Sequence, residues 1–569
     1  MSRYPFVSLV ALALTGCATL PQSTAPSEAV ALAGAVSAAD PRAQEAGEEI
    51  LRKGGSATDA AIATMLALTV VEPQSSGIGG GGFLVRGTSD GTITTYDGRE
   101  TAPAGATPEW FLDERGQLPD FIASVRSGLS VGVPGNIALA AKAHGEHGKL
   151  AWAELFEPAI RLAREGFRIN PRLRDALTRS KATGGFSEAA QALFYDADGE
   201  ALAVGTLVRN EDLARTFEKI AQEGPSAFYS GANAQALAAT VAADTPKPGA
   251  MTYADITGYE AKVRDGVCTS YRAYRICSMG PPTSGGIAIQ QILGQLERFD
   301  LAALGRDNPL TWHLFLESQR LAYADREMYL ADSDFVSVPV AGLLDKGYLA
   351  SRSALISKES SLVQVEAGRP AGAPTALADG DEPVEHGTSH LAAVDSAGTM
   401  VSYTSTIESA FGSGLMVGGY YLNNELTDFS RSPRVGGRDV ANRVEGGKRP
   451  RSSMSPTVIY DPQGHPFMAV GAAGGSTIPI TTVRTIIGAI DFGLSAEEAL
   501  GLPFAMAFGD RVLLEQGTWM EAGADAFRAL GHTQLFFAPA PIKGGAVQYS
   551  GGAWHSARDP RLDGQLDMP

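Results

Sequence analysis

Two hydrophobic rhythms run along the chain, and where one replaces the other marks its organisation. Up to Leu330 the apolar positions recur mostly at helical spacing. Asp40-Pro41 opens a helix with proline at its first position, Glu45 to Arg52 continues it, and Gly54-Gly55 ends it. Ser56 caps a second helix from about Ala57, in which Ala60 to Leu68 is apolar nearly all round, the pattern of a helix buried between layers. Phe83-Leu84-Val85 and Thr92 to Tyr96 read as strands. Asn136 to His144, Trp152 to Arg164, Arg172 to Lys181, Glu211 to Gln222, Ala232 to Ala243, Ile287 to Arg298 and Thr311 to Leu330 read as helices. Lys358 to about Glu382 is polar, rich in Pro, Ala and Gly, and aperiodic, which predicts an exposed loop. From Thr388 the period drops to two: Leu391 to Val394, a turn at Asp395-Ser396-Ala397-Gly398, then Met400 to Thr406. Helices at Thr482 to Asp491 and Ser495 to Leu500 and strands near Val512 and Val547 complete the pattern. Two helical blocks around a run of antiparallel strands predict an α/β (α+β) chain that fits a four-layer αββα sandwich.

Composition narrows the partners. The 569 residues are 44% hydrophobic and 19% charged, enough for a sizeable core. Lys plus Arg number 46 against 63 for Asp plus Glu, a net charge of -17, so no basic field exists to hold a phosphate backbone and nucleic acid is excluded. At the N-terminus, Arg3 and the apolar Phe6 to Leu14 form an export signal too short to span a bilayer as a helix. Leu14-Thr15-Gly16-Cys17 resembles a bacterial lipobox, which predicts a signal peptide over 1–16, lipidation of Cys17, a flexible tether over 17–30 and a periplasmic protein held at the outer membrane. A plain secretory signal with an incidental cysteine is the alternative. Contact with membrane is expected only through that anchor.

Cys268 and Cys277 flank a Tyr/Arg-rich alternation that suggests two short strands about a turn. In an exported chain a cross-hairpin disulfide is the favoured reading, with two free thiols as the alternative. No Cys-x-x-Cys pair appears and most histidines are scattered, so no metal is expected. Gly77 to Gly82 runs from a helix into a strand without Gly-Lys-Ser/Thr, so it reads as close backbone packing rather than a phosphate loop. Gly128-Leu129-Ser130-Val131-Gly132 fits G-x-S-x-G, but extended chain comes after it where a nucleophile elbow needs a helix.

One set of blocks carries more. Glu385-His386-Gly387-Thr388-Ser389-His390 is succeeded by Thr404-Ser405-Thr406-Ile407-Glu408, Leu422 to Ser430, Lys448 to Pro456 and Gly471-Ala472-Ala473-Gly474-Gly475-Ser476. In that order they resemble the small subunit of the gamma-glutamyltranspeptidases. Gln74 to Gly82 and Tyr323 to Leu330 resemble the large subunit, and the likeness covers almost all the chain after the tether. The resemblance implies the N-terminal-nucleophile (Ntn) hydrolase form of the sandwich, formed jointly by the two halves of a self-cleaved precursor. It implies a cut at Gly387-Thr388 into a large subunit, 31–387, and a small catalytic subunit, 388–569, with no cofactor. Thr388 would be the nucleophile, Thr406 would orient its freed amine, and Gly474 and Gly475 would receive the oxyanion. Arg99, Ser452 and Ser453 would hold a substrate carboxylate, with Glu425, Asp428 and Glu408 around its ammonium. Glutathione and other γ-glutamyl compounds are the donors so implied, and water, amino acids or dipeptides the acceptors. A cephalosporin (glutaryl) acylase of the same fold and a non-catalytic lipid-anchored binding protein are the rivals.

The chemistry is consistent with the residues themselves. A threonine hydroxyl is a weak nucleophile until a base takes its proton, and an α-amine with a pKa of about 7.7–8 can do so from the same residue. A guanidinium fork suits a carboxylate better than an ammonium does. Two features depart from the family pattern. Glu408 stands where some members carry asparagine, adding negative charge beside the ammonium. Ser430 to Gly447 is short and lacks an aromatic residue, which predicts a less covered pocket.

Overall fold

The computed structural model describes residues 1–2, 34–374, 377–378, 387–541 and 543–566. Cys17 and the tether, and Glu385 and His386 ahead of Thr388, lie outside the described residues. Among the described residues no helix is long and apolar enough to cross a membrane.

Twelve of the described strands make two large sheets: β1 (Ala35–Ala38), β2 (Gly81–Gly87), β3 (Ile93–Asp97), β4 (Lys262–Arg264), β5 (Val267–Tyr271), β6 (Tyr274–Ser278), β7 (Ser389–Val394), β8 (Met400–Thr406), β9 (Thr457–Tyr460), β10 (Pro466–Gly471), β11 (Gly545–Ser550) and β12 (Ala553–Arg558). The first sheet has the order β1-β7-β8-β2-β3-β4 and the second β12-β11-β10-β9-β6-β5, antiparallel throughout. Their facing sides bury Phe83, Val85, Ala392, Val394 and Met400 from one sheet against Cys277, Val458, Ala469 and Val547 from the other. Helices α1 (Pro41–Arg52), α2 (Ala57–Val71) and α3 (Asn136–His147) cover the first sheet; α4 (Gly285–Leu296), α5 (Pro309–Tyr329) and α6 (Ile478–Ile490) cover the second. The result is the four-layer αββα sandwich.

Local chemistry starts these helices where the sequence places them. The Asp40 carboxylate accepts from the Arg42 N–H ahead of α1. Ser56 and Asp59 form a reciprocal capping box at α2, and every residue of α2 is buried, as its unbroken apolar run requires. Behind β2 the glycine run packs backbone on backbone. A Cβ on Gly79 would sit 2.0 Å from the Tyr421 carbonyl oxygen, and one on Gly80 2.0 Å from that of Thr406. Only glycine lets this loop close on the end of β8, and that fixes where Thr406 points.

Cys268 and Cys277 face each other across the β5–β6 hairpin and are joined as a disulfide. Ser130 closes a single 3-10 turn, Gly128–Ser130, and its buried hydroxyl donates to the carbonyls of Val125 and Ser127 at 2.7 and 2.8 Å. That is a structural serine.

Candidate active site

Thr388 stands immediately before β7, an inner strand of the first sheet between β1 and β8, and is 4% exposed. Its N–H donates to the Ser75 carbonyl at 2.8 Å, from the loop between α2 and β2. Its Oγ1 lies 3.1 Å from Thr406 Oγ1 at the end of neighbouring β8. Thr406 Oγ1 also accepts the Glu408 N–H at 2.8 Å, which holds the second hydroxyl in place. The φ of Thr388 is +82°, in the left-handed region that a β-branched side chain disfavours. The peptide bond between Gly387 and Thr388 therefore sits beside local backbone strain. Next along β7, His390 is buried with Nδ1 2.9 Å from Thr404 Oγ1, and burial pushes its pKa down to about 3, so it is neutral.

A second cluster forms around Arg99, which comes just after β3 and is buried. Its Nε donates to the Pro450 carbonyl at 3.2 Å and its Nη2 to the Arg451 carbonyl at 3.0 Å. Its two Nη atoms also meet the carboxylates of Glu425 and Asp428. Those acids open and close one 3-10 turn, Glu425–Asp428, where residues three apart share a face. Glu408 lies two residues beyond β8 at φ +73°, not on the strand itself, and its Oε2 accepts from Asn424 Nδ2 at 3.0 Å. Burial, then the negative charge of Asp428, raises the Glu408 pKa to about 8. Burial also raises Glu425 well above the carboxylate range, against the opposing pull of Arg99. Glu100, beside Arg99 and equally buried, is pushed by burial up to about 7. The pocket thus holds the Arg99 guanidinium among four carboxyl groups, and burial raises three of them, Glu100, Glu408 and Glu425, above the ordinary carboxylate range.

Ser452 and Ser453 continue the strand of chain whose carbonyls hold Arg99. Ser452 Oγ accepts from the Met454 N–H at 3.1 Å, and Ser453 Oγ from Arg326 Nη2 at 2.8 Å. Gly474 and Gly475 form the positive-φ turn between β10 and α6. The Ala473 N–H just before them donates to the Lys543 carbonyl at 3.1 Å. The Lys543 ammonium in turn donates to the carbonyls of Gly387 and Thr388, each at 3.2 Å. The structure therefore brings Thr388 and Thr406 into contact, gathers Arg99, Glu425 and Asp428 into one pocket with Glu408 at its edge, and links the glycine turn to Thr388 through Lys543.

Sequence reasoning missed Glu100 and Lys543. Glu100 adjoins Arg99 in a turn that reads as surface, and only its burial gives it significance. Lys543 is a single cation 156 residues from Gly387, with no pattern to mark it.

Among the described residues one group could hold a metal. His313, Glu317 and His532 are buried with ligand atoms within 4.8 Å of one another, in the helical layer behind the second sheet. Its bonds are already made: His313 Nε2 donates to the Ser357 carbonyl at 3.0 Å, leaving Nδ1 to accept from His532 Nε2 at 2.8 Å. Glu317 accepts from Arg320 at 3.0 Å and from the Leu362 N–H at 2.7 Å. It works as a closed polar network.

Paired antiparallel sheets between helical layers, with a buried threonine hydroxyl at the head of an inner strand, define the Ntn-hydrolase type of sandwich. Residues 43–568 match the family described as Gamma-glutamyltranspeptidase, and the chain belongs to that family. It is 39% identical over 485 residues to the glutathione hydrolase proenzyme of Bacillus subtilis (strain 168), covering 83% of this chain and 80% of the relative. Among solved structures, a cephalosporin acylase from Bacillus halodurans superposes with a TM-score of 0.81 at 27% identity, over 96% of this chain and 98% of that one. A Helicobacter pylori gamma-glutamyltranspeptidase chain matches at 35% identity with a TM-score of 0.55, over 58% of this chain and 93% of its own.

Proposed function

We propose that the chain is the precursor of a γ-glutamyltransferase and glutathione hydrolase that cuts itself between Gly387 and Thr388. The observation that carries this reading is the Thr388 hydroxyl, buried, 3.1 Å from Thr406 Oγ1, on a strained residue at the head of β7. The word proenzyme in the name of the Bacillus subtilis relative supports a processed chain. In the mature enzyme the freed amine of Thr388 accepts the hydroxyl proton, and Oγ1 attacks the γ-carbonyl of the donor. The Gly474 and Gly475 N–H groups receive the oxyanion. The leaving amine departs, Cys-Gly in the case of glutathione, and water or the amine of an amino acid or dipeptide resolves the ester. Arg99, with Ser452 and Ser453, meets the substrate α-carboxylate, and Asp428 and Glu425 meet the α-ammonium. For that, the guanidinium exchanges part of its contact with these acids for the incoming carboxylate. Export and lipidation at Cys17, with residence at the outer membrane, belong to the same reading; fractionation of wild type beside Cys17→Ala tests them.

The decisive experiment is the intact mass and N-terminal sequence of purified wild type beside Thr388→Ala. Wild type should give a fragment beginning Thr388-Ser389-His390 with 569 − 387 = 182 residues, and the variant should stay whole and inactive. A well-folded, uncut wild-type chain overturns the reading. The TM-score of 0.81 to a cephalosporin acylase favours a second reading, acylase activity. Turnover of a γ-glutamyl anilide in preference to a glutaryl anilide, which lacks the ammonium, decides between them.

A further inference from the structure

The γ-glutamyl reaction gives Lys543 no role, yet this lysine lies against the bond that reaction requires to be cut. It is half-buried, and its ammonium points inward: 3.2 Å from the Gly387 carbonyl oxygen, 3.2 Å from that of Thr388 and 3.4 Å from Ser75 Oγ. Its main-chain carbonyl is held by the Ala473 N–H, so the residue is anchored at both ends. Among the described residues, the charged groups facing it are Arg172 and Glu72. Glu72 is itself engaged by Arg172 at 2.5 Å and by Ser389 Oγ at 2.7 Å. Desolvation, then the positive charge of Arg172, lowers the Lys543 pKa to about 7, against the pull of Glu72. An ammonium turned inward onto two backbone carbonyls is not placed as a surface lysine is.

We infer that Lys543 is the catalytic oxyanion donor for the cleavage of the Gly387–Thr388 bond, a role separate from that of the Gly474–Gly475 turn in γ-glutamyl transfer. The inference rests on the self-cleavage reading under Proposed function. In the step concerned, Thr388 Oγ1 forms a bond to the Gly387 carbonyl carbon. The carbonyl electron pair moves onto the oxygen that Lys543 Nζ already faces. The C–N bond then breaks, the nitrogen gains the proton that the hydroxyl has lost, and an ester joins Gly387 to Thr388 Oγ1. Water adds to that ester, the C–Oγ1 bond breaks, and the products are the Gly387 carboxylate and a Thr388 with free hydroxyl and α-amine. An ammonium suits each stage: it stabilises the oxyanion of both tetrahedral intermediates and then faces the new carboxylate. Preorganised donors at a developing oxyanion contribute about 10²–10³ in rate.

The test is a pulse-labelled cell-free translation of the full chain, with cleavage tracked on gels over time for wild type, Thr388→Ala, Lys543→Met and Lys543→Arg. Lys543→Met keeps the length and apolar stem of the side chain, and thermal melting verifies that it folds. Cleavage is expected to slow about 10²–10³-fold in Lys543→Met and to stay within about tenfold of wild type in Lys543→Arg, which restores a cationic donor. A folded Lys543→Met cut at the wild-type rate overturns the inference while leaving self-cleavage standing. A wild-type chain that is never cut overturns both. If Lys543→Met does not fold, Lys543→Arg decides: retained cleavage supports a cationic donor, and a folded, uncut chain overturns it.

Discussion

The two ends of the proposed active site are built from different materials. At the nucleophile end, the Thr388 hydroxyl and N–H are held by uncharged groups, the Thr406 hydroxyl, itself fixed by the Glu408 N–H, and the Ser75 carbonyl, while a single ammonium, that of Lys543, meets its carbonyl. At the recognition end, Arg99 sits among Glu100, Glu408, Glu425 and Asp428 with little access to water. The hydroxyl pair of the first depends on hydrogen-bond geometry. The second depends on how many protons the carboxyl groups carry and on whether an ammonium arrives to replace them. The Thr388 hydroxyl is set by position and the Arg99 pocket by charge.

Three substitutions sharpen this division. The largest effect is expected from Asp428→Ala, which removes a partner of a buried guanidinium. Breaking such a pair costs about 3–5 kcal/mol, and kcat/KM for a γ-glutamyl anilide should fall about 10³-fold, with KM raised. An equal loss on a glutaryl anilide would show that Asp428 does not read the ammonium. Thr406→Val should come next, lowering kcat about 10²-fold with KM little changed, since one hydroxyl to the nucleophile is lost and a buried N–H is orphaned. A change confined to KM would place Thr406 at the recognition end and break the comparison.

The smallest effect is one of pH. Glu408 has its pKa raised from the ordinary 4.5 to about 8, so the folded chain keeps a proton that the unfolded chain gives up. Its favourable contribution is complete below about pH 4.5 and is lost as pH rises to about 8. Melting temperature should therefore fall across that window, and Glu408→Gln should flatten the decline by a few degrees. A steeper decline in the variant would refute the protonated carboxyl.

Most of the fold was legible because its signals are local. Asp40-Pro41 and Ser56 mark the starts of α1 and α2, the period-two run after Thr388 marks β7 and β8, and the cysteine spacing marks the β5–β6 hairpin. Gly79 and Gly80 were readable as a close approach, though not what they approach, since Tyr421 and Thr406 lie more than 300 residues away in sequence. The candidate site was legible where motif blocks carry it, at Thr388, Thr406 and Asp428, and through the family resemblance at Arg99. What the residues alone could not supply was mutual engagement. An arginine and two acids imply binding of opposite charges, but only the fold shows Arg99 already bound to Glu425 and Asp428. Lys543 is harder still, because its meaning depends entirely on the backbone it faces.

The order of strands governs the fate of a chain cut before Thr388. In the first sheet β7 and β8 lie between β1 on one side and β2 on the other; in the second, β9 pairs with β6. Strands from the two sides of the cut are thus interleaved in the first sheet and joined side by side in the second, in both by main-chain hydrogen bonds. The fragments could separate only by losing both sheets at once, so separation and unfolding become one event. Refolding, a one-chain process in the precursor, would then require two chains to meet, and its yield would depend on concentration. The lifetime of the cut protein would be governed by how slowly it comes apart, with little return once it has.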